Sequence, residues 1–270
     1  MSGMLDLAFF TAVTLYGLAG ALLLAHLAGA SSRPVLVVWG TRLLMVAALA
    51  HAVHDVTRWV THGGGPFAGI REGLSTLGLL VVGGFLGVHR FQRRIDPVGA
   101  FVAPLTLLML LASRETAGRN DAHLGGALIA AHVGSTLLGT AAFTVASAMA
   151  AAYLVQERQV KRKRLGGVFQ RLPPLDVLDE IGYRCVAVGL PALTLGIVTG
   201  FFVARAASPT RALAAWQQYV AMGAWALFAT VLILRLAAGW RGRRAAIGTI
   251  LGYSCALVVL AGYYARSGAQ

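Results

Sequence analysis

Seven histidines are the side chains with the most chemistry to offer. His51, His54 and His132 fall inside long apolar stretches, His26 and His89 near inner ends of such stretches, and His62 and His123 near outer ends. An imidazole inside an apolar helix can ligate haem iron axially or hydrogen-bond across to a neighbouring helix. His51 and His54 share a helix face, and Asp55, one turn beyond His51, can accept the second ring hydrogen, which fixes the tautomer and strengthens a ligand. His51 lies about nine residues from the outer end of its stretch and His132 about ten from its own, so both are expected roughly 13 to 15 Å below the outer surface. Equal depth on two helices permits ligation of one haem from both faces. Packing by hydrogen bonds alone is the other reading that this spacing allows.

A second set of residues lies toward the outer face. Trp216, Tyr219 and Trp225 follow a loop, and they would make a shelf for a flat apolar ligand or part of an interfacial aromatic belt; the belt is the default role for Trp39, Trp59 and Trp240. Glu72 follows the Gly- and Pro-rich THGGGPFAG, where the ordinary role is that of a helix-capping carboxylate beside Arg71. Cys185 and Cys255 lie in apolar runs without a CxxC pair or zinc-ligand spacing, so neither a disulfide nor redox work is assigned. The sequence holds no hydrolase triad, phosphate loop, paired catalytic carboxylates or nucleic-acid motif, and no catalytic residue is assigned.

The elements that must position these groups are membrane helices. Of 270 residues 57% are hydrophobic and 12% charged, with a mean hydropathy of +0.72, which excludes a soluble globular domain. Apolar stretches at 5 to 29, 35 to 60, 72 to 90, 98 to 113, 122 to 155, 180 to 204, 214 to 238 and 245 to 265 predict an all-α polytopic bundle of eight spans in one domain, 1–270. Turn-forming segments, among them Ser31-Ser32-Arg33-Pro34, Asp96-Pro97, Pro173-Pro174 and Ser208-Pro209, separate them. The first run lacks a basic leader and a cleavage site and is expected to be a retained span. The formal charge of +13 reflects topology rather than a nucleic-acid partner: thirteen Lys and Arg fall in one set of alternate loops against seven in the other, which places both termini outside. The run QERQVKRKR supplies much of that excess, as an anchor on anionic lipid headgroups or as a docking patch for a cytoplasmic partner. Arg42, Asp55 and Arg184 within spans would also suit a small-solute transporter, but no inverted repeat is visible.

Residues 153 to 204 resemble the cytochrome c assembly membrane family that includes CcsA and HemX. The likeness is carried by the basic run after YLVQ, then Arg171, Leu172, Pro173, Leu175, Asp176, Leu178 and Asp179, then Tyr183-Arg184, then Gly189, Pro191, Leu193, Thr194, Gly196, Ile197 and Gly200. The tail RLAAGWRGRRAAIGTILGY, with Arg235, Gly239, Trp240, Arg241, Gly242 and Arg243, is similar to the family's last loop, and Pro66 with Glu72 to its loop before the third helix. The short chain is more similar to the HemX branch. The resemblance implies haem handling in the bacterial cytoplasmic membrane. Haem b would be held in the bundle and presented outside to apocytochrome c, together with other cytochrome c biogenesis membrane proteins. In the HemX branch the implied role is control of glutamyl-tRNA reductase abundance, with the basic loop 156 to 171 as the cytoplasmic contact. The resemblance further implies that His132, which matches the histidine opening the family's long fifth helix, is a haem ligand, with His51 or His54 as its partner and Trp216, Tyr219 and Glu72 around the outer mouth. The tryptophan-rich segment of the haem-delivering members is AWQQYVAMGAWALF here, and a histidine two positions before the tail arginine is Ile233.

Overall fold

The computed structural model describes residues 2–29, 35–62, 65–66, 68–115, 126–163, 166–206 and 215–268. In chain order the helices are α1 (Ser2–Ala28), α2 (Val35–His62), α3 (Ile70–Phe91), α4 (Gly99–Glu115), α5 (Ala127–Lys161), α6 (Val168–Arg171), α7 (Leu175–Ala206), α8 (Ala215–Ala238) and α9 (Arg243–Gly268), with a 3-10 turn at Arg93–Val98 leading into α4. Backbone in hydrocarbon finds no water, so a crossing segment must close its hydrogen bonds within itself, and the helix does this. Among the described residues, eight helices are long and apolar enough to cross a membrane, and they are the eight predicted stretches.

The differences lie at the ends, where hydrophobicity stops reporting. α7 begins at Leu175 rather than 180, because Pro173-Pro174 lead into a first turn whose Asp176 suits the positive end of the helix dipole. α5 continues to Lys161, past the expected 155, carried by the Glu157–Lys161 ion pair one turn apart at 2.8 Å and by basic residues at its negative end. The expected beginning of this helix at 122, with His123, lies outside the described residues, as do Arg33 and Ser208-Pro209.

Two helix groups form the bundle. α1, α2, α3 and α4 pack on one another around Phe9, Tyr16, Leu44, Leu77, Phe85 and Leu110. α5 packs most extensively on α7, and α8 on α9, around Phe143, Val186, Phe228 and Tyr253. The Phe143 and Phe228 rings stack with centroids 3.6 Å apart. α3 against α5 joins the groups, through Val81, Val82 and Phe85 with the alanine-rich face Ala141, Val145, Ala148 and Ala152. Small residues let the helix backbones approach closely where no hydrophobic force separates helix from lipid.

At the end of the bundle where α7 begins, Asp179 accepts a hydrogen bond from the Gly242 N–H at 2.9 Å, and Arg171 reaches the Leu27 carbonyl at the end of α1. The end of α5, the end of α8 and the start of α9 thus lie together.

Candidate functional site

His132 stands on the sixth residue of α5 and faces α7. Its Nδ1–H donates to the Gly196 carbonyl at 2.8 Å; a carbonyl can only accept, so in the neutral ring Nε2 carries the lone pair. Thr199 donates its hydroxyl to the same oxygen at 3.1 Å. The ring fits because positions 196 and 200 lack side chains. A Cβ at 200 would lie 2.6 Å from the His132 Cε1, and one at 196 would lie 2.5 Å from the Thr136 hydroxyl. His132 is half-buried, and among the described residues its Nε2 has no hydrogen-bond partner. The glycines of the GLPALTLGIVTG run are therefore a seat for a histidine 64 residues earlier in the chain.

His51 is held quite differently. It is fully buried between α1, α2 and α3. The Ser75 hydroxyl donates its single proton to Asp55 Oδ1 at 2.6 Å, so toward His51 it accepts, from Nε2–H at 3.0 Å. Nδ1 is then the acceptor for the Tyr16 hydroxyl at 3.3 Å. Both ring nitrogens are spent, and Asp55 acts on His51 through Ser75, its nearer approach to Nε2 being 3.7 Å. His54, one turn outward, donates from Nδ1 to the Leu5 carbonyl at 3.2 Å and tilts against the Phe9 ring.

His51 lies eleven residues before the end of α2 and His132 five after the start of α5 as described, roughly 16 Å and 7 to 8 Å along their helices. Their partners come from separate helix groups, and the structure does not bring the two rings to one point.

Glu72 is buried in the first turn of α3, and its partner is Arg58 of α2 at 2.9 Å rather than the adjacent Arg71. Arg71 instead donates to the Arg114 carbonyl. No side chain caps the α3 N-terminus, so Glu72 serves as a cross-helix ion pair. Of the outer aromatics, Trp216 is half exposed and packs on α9 at Gly262, and Tyr219 is 76% exposed. Trp225 is half-buried and donates its indole N–H to the exposed Thr194 hydroxyl at 2.9 Å, which ties α8 to α7. Trp216, Tyr219 and His132 sit at the same end of the second helix group, the ends at which α8 and α5 begin.

One cluster was not singled out as a site from sequence. Arg235 of α8 is half-buried and pairs with Asp179 at 2.8 Å and Glu180 at 3.5 Å, with its guanidinium 4.3 Å from the Tyr183 ring centroid. Asp179, Tyr183 and Arg235 come from the two separate stretches that carry the resemblance, which was the available signal that they meet. Ile233, where relatives were expected to carry histidine, is 61% exposed on the outside of the bundle. Cys185 and Cys255 are free thiols, and among the described residues no cluster of His, Cys, Asp and Glu has a metal-holding arrangement.

Residues 35–268 match the model of the family described as cytochrome C assembly protein. The chain is similar to the cytochrome c biogenesis protein CcsA of Guillardia theta, 27% identical with 75% of this chain and 76% of that one covered. It is similarly related to the CcsA proteins of Gloeothece citriformis, at 26% with 82% and 83% covered, and of Synechococcus elongatus, at 27% with 83% of each.

Proposed function

This chain belongs to the cytochrome C assembly protein family, and on that footing we propose that it serves cytochrome c assembly as a haem-holding membrane subunit with His132 as an axial ligand. One observation carries the ligand assignment. The Gly196 carbonyl takes the Nδ1–H of His132, so Nε2 is left as a partnerless lone pair on a half-buried ring, the tautomer that an iron ligand needs. The residues around it fit that task. Gly200 leaves the imidazole room, Thr199 and Gly196 hold its orientation, and the surrounding helix contact keeps the ring from swinging into lipid.

Haem, when held there, supplies the iron and macrocycle that a c-type cytochrome requires. Trp216 and Tyr219 offer flat apolar surface at the same end of the bundle. Arg58 and Glu72 stay committed to each other between α2 and α3, and His51 stays within its hydrogen-bonded chain. No turnover by the chain itself is required: it would bind, orient and release haem to other cytochrome c biogenesis membrane proteins. An oxidised and dithionite-reduced absorption spectrum of the detergent-purified protein, with pyridine haemochrome quantification, tests this. The expected result is a b-type signal that His132→Ala removes; a spectrum unchanged in that variant would defeat the ligand assignment.

A further inference from the structure

The turn between α8 and α9 forms, with the end of α5, a cavity of about 510 Å³ open at the inner end of the bundle. Lys161, Arg241, Arg243 and Arg244 line it together with Trp240 and a single carboxylate, Glu157. Glu157 is already used, by Lys161 at 2.8 Å and by Arg243 at 3.9 Å. Arg241 has no ion pair among the described residues, and the Arg244 guanidinium lies 5.6 Å from the centroid of the Trp240 ring.

What separates this cluster from an ordinary solvated charge run is that its backbone is pinned. Gly239 and Gly242 adopt φ of 64° and 72°, left-handed conformations that side chains resist. The Trp240 N–H donates to the Leu234 carbonyl at 3.1 Å, and the Gly242 N–H to the Asp179 carboxylate at 2.9 Å. Asp179 is itself fixed by Arg235. Arg241 is therefore carried on a preformed turn and Arg243 and Arg244 on the first turn of α9 that follows it, whereas Arg158, Arg162 and Lys163, exposed like them, stand at the end of α5. Like charges brought together without a counter-charge repel, and an anion between them relieves that cost.

We propose that this turn is a binding site for an anionic phospholipid headgroup of the inner leaflet, one that carries two phosphates. Four cations against one carboxylate leave an excess of three, of which two phosphodiesters offset two where a single one would offset one; the volume accommodates a headgroup, and Trp240 suits the bilayer interface. The inference is independent of the haem reading, because the two sites share no residue.

Native mass spectrometry of the detergent-purified protein, titrated with cardiolipin, phosphatidylcholine or inorganic phosphate, tests it. The wild-type chain is expected to retain cardiolipin in preference to phosphatidylcholine, and the combined R241Q, R243Q and R244Q variant to bind cardiolipin on the order of a hundredfold more weakly. The combined R158Q, R162Q and K163Q variant, which removes the same charge beside the turn, should keep cardiolipin. R241Q alone, which breaks no ion pair among the described residues, should lose roughly fivefold and guards against a folding defect in the triple variant. Equal weakening in the two triple variants, or displacement of cardiolipin by millimolar inorganic phosphate, would overturn the proposal in favour of diffuse attraction or a free-anion site.

Discussion

His132 and His51 are the same side chain in two helix groups of one bundle, and the structure gives them opposite conditions. Between α5 and α7, one nitrogen is anchored and the other is open among the described residues. Between α1, α2 and α3, both nitrogens are consumed by a chain that runs from the Tyr16 hydroxyl through His51 and Ser75 to Asp55. Depth in the membrane does not separate a ligand from an internal tie; the state of the second nitrogen does. A polar group in hydrocarbon must be satisfied, so a ring with one nitrogen on a backbone carbonyl and the other open can take a further partner, a state that His132 shares with His54 among the described residues.

Four substitutions would break or sharpen this contrast. His132→Ala has the largest expected effect: haem recovered with the protein falls below detection by pyridine haemochrome, while thermal unfolding in detergent moves little, because one hydrogen bond is worth about 1 kcal/mol. His51→Ala should do the reverse. It leaves the Tyr16 and Ser75 hydroxyls without their ring partner and opens a cavity, at a cost of about 3 kcal/mol in unfolding, with haem per folded chain unchanged. If His51→Ala instead empties the protein of haem without destabilising it, the assignment of roles is inverted.

Gly200→Ala acts on His132 from behind, since a Cβ there would lie 2.6 Å from the ring. Haem affinity is expected to fall about tenfold, the lower end for a disturbed ligand support, and recovery of wild-type affinity in this variant would mean that the ring can move freely. Trp225→Phe is the smallest: it removes the bond to Thr194 and should cost about 1 kcal/mol in unfolding with no change in the spectrum. A spectral change there would return Trp225 to the haem site.

The eight spans were legible because a bilayer demands about 20 apolar residues from each, and that demand is written directly into the sequence. The extensions of α5 to Lys161 and of α7 back to Leu175 were not, since they are supported by ion pairs and dipole complementarity outside the apolar stretches. His132 was legible as a group of interest, but its seat was not: Gly196 and Gly200 read as close helix contact until α5 and α7 are placed side by side. Asp55 was read as the acceptor of the second His51 ring hydrogen, but that hydrogen goes to Ser75 of α3, a residue on another helix, which in turn donates to Asp55. Glu72 illustrates the limit of local reading. Its neighbour Arg71 suggested a helix cap, whereas its partner, Arg58, is supplied by another helix.

The half-buried, ion-paired Arg235 places a condition on the order of events during synthesis. It emerges 55 residues after Glu180 and slightly more after Asp179, on a later membrane segment. Arginine is disfavoured on entering the membrane, so α8 gains by arriving beside carboxylates that α7 has already delivered. Until then Asp179 waits at the inner end of α7 with neither this cation nor the Gly242 N–H. This seam between α7 and α8 is thus completed only when α8 and the turn that follows it have been made. A nascent chain that stops short of Arg235 would present an unsettled α7 to whatever surveys the membrane for unfinished proteins.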